Sequence, residues 1–201
     1  MKNVIKLFAI FLLLSGMFSS KSAISADNEG QHGVRGAGLT SCAIYEKERN
    51  LKSQVYFIIA SWMDGYITGT NQWANDTYDI FPFQSTELIT SIISAHCQKN
   101  PKDRIYPVLR NLIEKISQNR LSKQSKKIDV GVGERTTKLY IEVVIRLKEK
   151  LKQTGHYHGD INSVYDGATI EAIKTYQGSI GFNQTGFPDQ LTLWRLLNPS
   201  Q

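Results

Sequence analysis

The feature that most constrains the fold is a periodic apolar run in the first half of the 201-residue chain. Apolar side chains recur there at intervals of three and four residues, at Val55, Ile58, Ile59, Trp62 and Tyr66. This spacing places them on one face of an α-helix. Gly65 and Gly69 fall in the same run, where glycine weakens a helix. We expect them to allow the close approach of a second helix.

Weaker signals around this run predict three further helices. Ser41 is suited to cap a short first helix. A third helix is expected over residues 86–96 and a fourth over residues 107–117, with the Asn100-Pro101 break between them. We therefore predict a helical domain over residues 41–116. The glycine-rich stretch 27–40 before it lacks periodicity and is expected to be flexible.

The N-terminus has the three parts of a secretory signal peptide. Lys2 and Lys6 precede an apolar run, Leu7 to Leu14, and small residues follow through Ala26. The apolar run is too short to span a bilayer, which makes an uncleaved anchor the weaker alternative. We expect residues 1–26 to be removed, a periplasmic or secreted location, and no stable membrane insertion after cleavage.

The chain has two cysteines, Cys42 and Cys97. In an exported protein the simplest use of two cysteines is one disulfide, because the compartment is oxidising. Two buried free thiols are the alternative. A disulfide would connect the first predicted helix to the end of the third.

The formal net charge of +6 is unevenly distributed. Residues 117–138 combine six basic side chains with two acidic ones, whereas residues 139–201 are balanced, with six of each. A basic face on a folded domain is therefore not indicated, which argues against nucleic-acid binding. Residues 117–138 are interpreted as a basic linker, although residues 128–133 could form a short strand.

The last segment, residues 139–201, predicts three small helices. Ile141, Val144, Leu147 and Leu151 share one helical face, and Gly155 is placed to end that helix. Asp166 and Asp189 are suited to cap two further helices. With the N-terminal bundle, this gives an all-α fold of two helical domains, the first bridged by Cys42–Cys97.

The motifs in this segment resemble those of the small peptidoglycan-binding domain that accompanies many bacterial cell-wall enzymes. The resemblance covers residues 141–197 and lies in ordered positions: Leu151, Gly155, Tyr157, Gly159, Thr169, Ala172-Ile173, Tyr176-Gln177, Gly181-Phe182, Gly186, Asp189, Thr192, Trp194 and Leu197. It implies a three-helix fold and non-covalent binding to peptidoglycan. Most of these residues are expected to form the core.

The chain departs from the family pattern at one turn, where Ile161-Asn162-Ser163 stands for Ile-Asp-Gly. Asparagine tolerates left-handed geometry, so the turn is expected to persist. Aromatic faces suit sugar rings, and amides and carboxylates suit hydroxyls and peptides. The candidate ligand-binding residues are exposed groups near the loops, with Gln177 beside them: Tyr157, Asp160, Asn162, Tyr165 and Gln177.

The sequence contains no serine elbow, phosphate loop or HExxH helix. His156 and His158 are two residues apart but lack acidic or cysteine partners at a recognisable spacing. We therefore expect no catalytic residues, no metal and no cofactor.

The N-terminal domain has a shorter resemblance. Residues 62–71, with Cys97 and Asn100-Pro101 further on, resemble periplasmic Tai-type amidase-immunity proteins and, less closely, HdeA-type acid chaperones. The whole sequence predicts a non-catalytic exported protein that binds peptidoglycan and localises its N-terminal domain at the cell wall. The alternative is an immunity-like inhibitor whose partner is a cell-wall hydrolase.

Overall fold

The computed structural model describes residues 27, 29 and 31–198. The predicted signal peptide, residues 1–26, lies outside the described residues. The helices and strands below all belong to the compact unit Arg35–Gln201. Within the described residues no helix is long and apolar enough to cross a bilayer.

The described part of the chain is mostly helical, with one small sheet. In chain order its elements are a 3₁₀ helix Gly36–Leu39, α1 Cys42–Asn50, α2 Gln54–Trp73, α3 Thr86–Cys97, α4 Ile105–Ile116, a 3₁₀ helix Ser117–Asn119, β1 Lys127–Val132, β2 Arg135–Tyr140, α5 Ile141–Gln153, α6 Gly167–Ser179 and α7 Gln190–Leu197. The all-α prediction is therefore correct for the helices and wrong for residues 127–140.

The predicted disulfide is confirmed. Cys42 opens α1 and Cys97 ends α3, with their Cα atoms 4.8 Å apart. The Ser41 hydroxyl caps α1 by accepting a hydrogen bond from the Ile44 N–H. Tyr45 is fully buried between the two helices, where its hydroxyl donates to the Thr90 carbonyl at 2.7 Å. The disulfide and this buried tyrosine together fix α1 against α3.

Helix α2 forms as predicted, but it is rotated relative to the predicted face. Of the five residues predicted to form one apolar face, Val55 and Ile58 are exposed and only Ile59 is fully buried. The buried face is instead formed by Tyr56, Ile59, Ala60, Met63 and Ile67. The helix is apolar on most of its circumference, so its neighbours decide its rotation: the Tyr56 hydroxyl lies 3.2 Å from the Thr90 hydroxyl on α3.

The end of the segment predicted to be flexible is ordered against α2. Residues 36–39 form a 3₁₀ helix, and a Cβ at Gly38 would overlap the Trp62 ring. The Trp62 indole N–H donates to the Arg35 carbonyl at 2.9 Å. Glycine is needed at position 38 because the backbone and the indole share that space.

Residues 127–138, interpreted from sequence as part of a linker, form an antiparallel hairpin together with residues 139 and 140. Lys127 pairs with Tyr140 and Val132 with Arg135, around a two-residue turn in which Gly133 has φ +58°. Alternation places Val130 and Leu139 on the buried face. Across the hairpin, the Lys138 ammonium pairs with the Asp129 carboxylate at 2.7 Å.

Side chains connect the N-terminal helices to the last segment. The Gln190 amide accepts from the Ser85 N–H and donates to the Phe83 carbonyl, both at 2.8 Å. The Arg146 guanidinium donates to the Asn119 carbonyl at 2.7 Å. The predicted domain boundaries at 116/117 and 138/139 lie within the unit that these hydrogen bonds connect. That the segments on either side are independent domains stays a prediction.

Candidate functional site

The candidate site is built on helices α5, α6 and α7, whose ends are fixed as the sequence predicts. The Asp166 carboxylate caps α6 by accepting from the Thr169 N–H and hydroxyl at 2.9 and 2.7 Å. Asp189 caps α7 in the same way through Thr192. Gly155 ends α5 with φ +77°, a conformation that favours glycine. The two threonines are thus structural residues of helix starts.

Gln177 joins α6 to the loop before α7. Its side-chain carbonyl oxygen accepts from the Gly186 N–H at 2.8 Å, and its amide nitrogen donates to the Phe187 carbonyl at 3.0 Å and to the Thr192 hydroxyl at 3.1 Å. The side chain is completely buried. Both ends of the amide are therefore used inside the protein, and a ligand at the surface does not reach them in this structure.

Lys148 lies beneath the loop that holds the other candidates. Its side chain is fully buried, and its ammonium donates to the Asn162 side-chain carbonyl oxygen at 2.8 Å. The nearest carboxylate, Asp166, is 3.9 Å away, and the Tyr157 ring centroid is 5.3 Å away. Burial of a charge is unfavourable without such partners. Lys148 therefore holds the loop by three interactions at once.

The two tyrosines among the candidates are largely occupied by internal contacts. Tyr157 is buried and donates its hydroxyl proton to the Asp160 carbonyl at 3.0 Å. Tyr165 is half-buried and donates to the Gly186 carbonyl at 2.9 Å. Burial raises the pKa of the Tyr165 hydroxyl, because the phenolate would be poorly solvated. Both hydroxyls stabilise the loop as hydrogen-bond donors.

Asp160 and Asn162 are the candidates that lie at the surface. The Asn162 side-chain carbonyl oxygen accepts from the Val164 N–H at 3.0 Å, which closes an Asx turn. The turn thus persists despite the departure from the family pattern. Neither Asn162 nor Ser163 has a positive φ. The turn is therefore closed by this side-chain hydrogen bond and not by left-handed backbone geometry. Ile161 and Val164 are also exposed, so the loop presents apolar and polar groups side by side.

The two histidines of the loop have separate surroundings. His156 Nδ1 lies 3.0 Å from the Thr154 hydroxyl, and its ring meets Tyr176 edge-on at 5.5 Å. His158 is exposed. Among the residues that the structure describes, no three His, Cys, Asp or Glu side chains are grouped as a metal site would need.

Comparison with known families supports the assignment of this segment. Residues 142–196 match the family model described as a putative peptidoglycan binding domain. The match spans α5 to α7 and covers about a quarter of the chain, so it identifies a C-terminal segment and not the whole protein. No curated protein and no solved structure matches this chain.

Lys148 is not among the site residues predicted from the sequence, although its position on the apolar face of α5 indicates that it is buried. The residue directly follows Leu147 and lies four positions after Val144 and three before Leu151, all fully buried. A lysine at that spacing is on the apolar face of α5 and needs an internal partner. The partners themselves, on a loop at least nine residues further along, could not be read from this periodicity.

Proposed function

We propose that this protein is exported, is not an enzyme, and binds peptidoglycan through residues 142–196. Binding would localise the N-terminal helices at the cell wall. The single observation that carries the proposal is the family match over residues 142–196. The site described above adds a surface loop, residues 157–165, held in place from below by Lys148.

The chemistry of this loop suits a sugar-peptide polymer. Asp160 and Asn162 provide a carboxylate and an amide at the surface for hydroxyls and peptide groups. Ile161 and Val164 provide exposed apolar surface for sugar C–H groups and peptide methyls. We therefore assign ligand contact to the exposed residues of the loop, and a supporting role to Tyr157, Tyr165 and Gln177.

Export is supported by two independent features. Residues 1–26 have the sequence of a signal peptide. The Cys42–Cys97 disulfide suits the periplasm or the cell exterior, where disulfides persist. We propose that the mature chain begins near Asp27.

The direct test is co-sedimentation of the purified chain, residues 27–201, with isolated sacculi. We expect the protein to pellet with sacculi and to remain soluble without them. Asp160→Ala should weaken binding by about threefold to thirtyfold, the cost of one or two hydrogen bonds. Glu171→Ala is the matched control, because Glu171 is an exposed carboxylate on α6, outside the loop.

The salt dependence of binding distinguishes recognition by the loop from general charge attraction. Binding carried by the basic residues 117–138 should fade strongly between low and high ionic strength, whereas binding by the loop should persist. Replacement of Lys123 and Lys126 by glutamine is the corresponding control. Failure of the chain to pellet, or a loss of pelleting that follows only the lysine substitutions, would contradict wall recognition by the loop.

The absence of enzymatic activity needs its own measurement. A suspension of sacculi treated with the purified chain should keep its turbidity over hours, even where the protein is fully bound. Clearing of the suspension by the chain would show hydrolysis and would overturn the non-catalytic part of the proposal.

A further inference from the structure

A polar pocket lies where the chain before the hairpin meets the start of α5. The segment 121–125 forms one wall, and Glu142 and Arg146 of α5 form the other. The volume of the pocket is about 250 Å³, below the roughly 300–1,000 Å³ of pockets that hold drug-sized ligands. The pocket is separate in sequence from the loop 157–165, to which peptidoglycan contact is assigned above, and it has room for a small polar ligand.

The two walls of this pocket are held together by hydrogen bonds. The Arg146 guanidinium donates to the Asn119 carbonyl at 2.7 Å and to the Arg120 carbonyl at 3.2 Å. The Ser125 hydroxyl oxygen accepts from the Glu142 N–H at 3.2 Å. Because these bonds fix both walls in the free protein, a ligand binds with little additional ordering of the chain.

The pocket presents one positive and one negative group that the fold leaves available. Lys123 is exposed and forms no ion pair within the part of the chain that the structure describes. The Glu142 side chain is 45% exposed, and its Oε1 oxygen accepts from Arg146 Nε at 3.1 Å. Its other oxygen, Oε2, has no hydrogen bond to the described residues. The Ser125 hydroxyl accepts inside the fold and keeps its proton for a ligand.

This pair of charges selects a ligand that has both signs. A simple anion such as phosphate would be repelled by the Glu142 carboxylate, and a simple cation would be repelled by Lys123 and Arg146. An α-amino acid group has an ammonium and a carboxylate on one carbon, so it can pair with both walls at once. Charge-assisted hydrogen bonds of this kind are stronger than neutral ones.

We propose that this pocket binds the zwitterionic group of an amino acid, with the ligand carboxylate at Lys123 and its ammonium at Glu142. Peptidoglycan is one source of such a group, because a diamino acid in a stem peptide has a free amino acid end where the strands are not cross-linked. A free amino acid is the other source. The choice of the stem peptide rests on the proposed function, and it makes the pocket a second wall contact beside the loop.

The first test is a titration of residues 27–201 with meso-diaminopimelate, followed by the NMR shifts of the backbone amides. We expect a Kd on the order of 1 mM, with the largest shifts in the segment 121–126 and at the start of α5. Pimelate has the same carbon chain without the ammonium groups, and cadaverine lacks the carboxylates. Each should bind about tenfold more weakly. Binding of either analogue as tight as that of diaminopimelate would contradict a zwitterion site.

Two substitutions distinguish this recognition from charge attraction. Glu142→Gln keeps an oxygen for Arg146 Nε and makes the pocket more positive, so it should strengthen the binding of pimelate and weaken that of diaminopimelate by about fivefold or more. Lys123→Gln should weaken diaminopimelate binding by a similar factor. Glu149→Gln and Lys152→Gln are the matched controls, because both residues are exposed on α5 outside the pocket. They should leave the Kd and the circular dichroism unchanged.

Two further ligands distinguish the sources. A soluble disaccharide-tripeptide that ends in diaminopimelate should bind at least as tightly as diaminopimelate itself, and glycine should bind more weakly. Equal binding of glycine would assign the pocket to free amino acids. No binding of diaminopimelate at about 20 mM, or a Kd that neither pocket substitution changes, would overturn the proposal. These outcomes do not depend on pelleting with sacculi, so they are distinct from a failure of wall recognition by the loop.

Discussion

Gln177 shows how a residue in a family motif can serve the fold. The motif places it beside the candidate loop residues, and its amide is a reasonable ligand for a polar substrate. In the structure, the same amide bridges the Gly186 N–H and the Phe187 carbonyl across the turn before α7. Its burial follows from these two contacts, because an amide that satisfies two backbone groups can be buried at low cost.

Gln177→Leu should destabilise the protein by about 1–3 kcal/mol, since it leaves the buried Gly186 N–H without a partner. Urea unfolding should show a lower midpoint with an unchanged slope. The control Gln153→Leu, at an exposed glutamine, should stay within about 0.5 kcal/mol of the original protein. Equal stability of the two variants would reject the structural role of Gln177.

The capping role of Asp166 also lowers the pKa of its carboxyl group. Hydrogen bonds from the Thr169 hydroxyl and N–H lower the pKa of its carboxyl below the ordinary value of 3.8, with a smaller contribution from the Lys148 charge. A lowered folded-state pKa stabilises the protein above the unfolded pKa. That stabilisation is lost as the pH falls through the folded-state pKa.

Asp166→Ala should therefore lower the stability by about 1 kcal/mol near pH 7, with a smaller difference below pH 4. Asp166→Asn keeps a capping oxygen without the charge and should lose less at neutral pH. The measurement is the thermal midpoint of each variant at several pH values. A difference between Asp166→Ala and the original protein that stays constant down to pH 2 would contradict the assigned cap chemistry.

At the scale of the elements, the Trp62 side chain connects the 3₁₀ helix Gly36–Leu39 to α2. Trp62 fills the space over Gly38 and donates to the Arg35 carbonyl. The apolar periodicity placed Trp62 on the apolar face of this helix. In the structure Trp62 is covered by the short segment that precedes α1, which explains why a glycine-rich stretch is ordered there.

Gly38→Ala should destabilise the protein by about 1–3 kcal/mol, because the added methyl group overlaps the Trp62 ring and the ring must move. Tryptophan fluorescence should shift to longer wavelength as the indole becomes more exposed. Gly33→Ala is the control, since a Cβ there meets nothing within 4 Å. If both alanine variants behave alike, the Trp62 contact is not the reason for glycine at position 38.

The element that sequence reasoning did not identify is the hairpin 127–140. Its residues have a mixed, basic composition typical of a spacer, and residues 128–133 gave only a weak strand signal. The pairing partner lies in the next few residues, and the inner face has only four apolar residues, Ile128, Val130, Val132 and Leu139. So few apolar residues do not distinguish a strand pair from a loop without the surface that covers them.

At the scale of the whole molecule, the N-terminal helices and the peptidoglycan-binding segment share polar contacts. Gln190 bonds to the 83–85 loop, and Arg146 bonds to the chain after α4. The segment 142–196 is thus attached by these hydrogen bonds as well as by the covalent chain. If the segment binds the wall as proposed, the N-terminal helices would be held in a fixed position relative to the surface.

These contacts predict a single cooperative unfolding transition for residues 27–201. Calorimetric and van't Hoff enthalpies should agree, as expected for one unit. A double variant, Arg146→Ala with Gln190→Ala, should lower the midpoint and broaden or split the transition. Two well-separated transitions in the original protein would show that the boundaries predicted from sequence separate independent domains.

The sequence by itself determined the helices, their caps at Ser41, Asp166 and Asp189, the Cys42–Cys97 pair and the family of the last segment. The helices, the caps and the family motif depend on residues close in the chain, and two cysteines can form only one pair with each other. Only the tertiary structure decided the rotation of α2, the burial of Gln177 and the position of Lys148 under the loop. Those features depend on which surfaces meet, and a helix that is apolar on most sides leaves that choice to its neighbours.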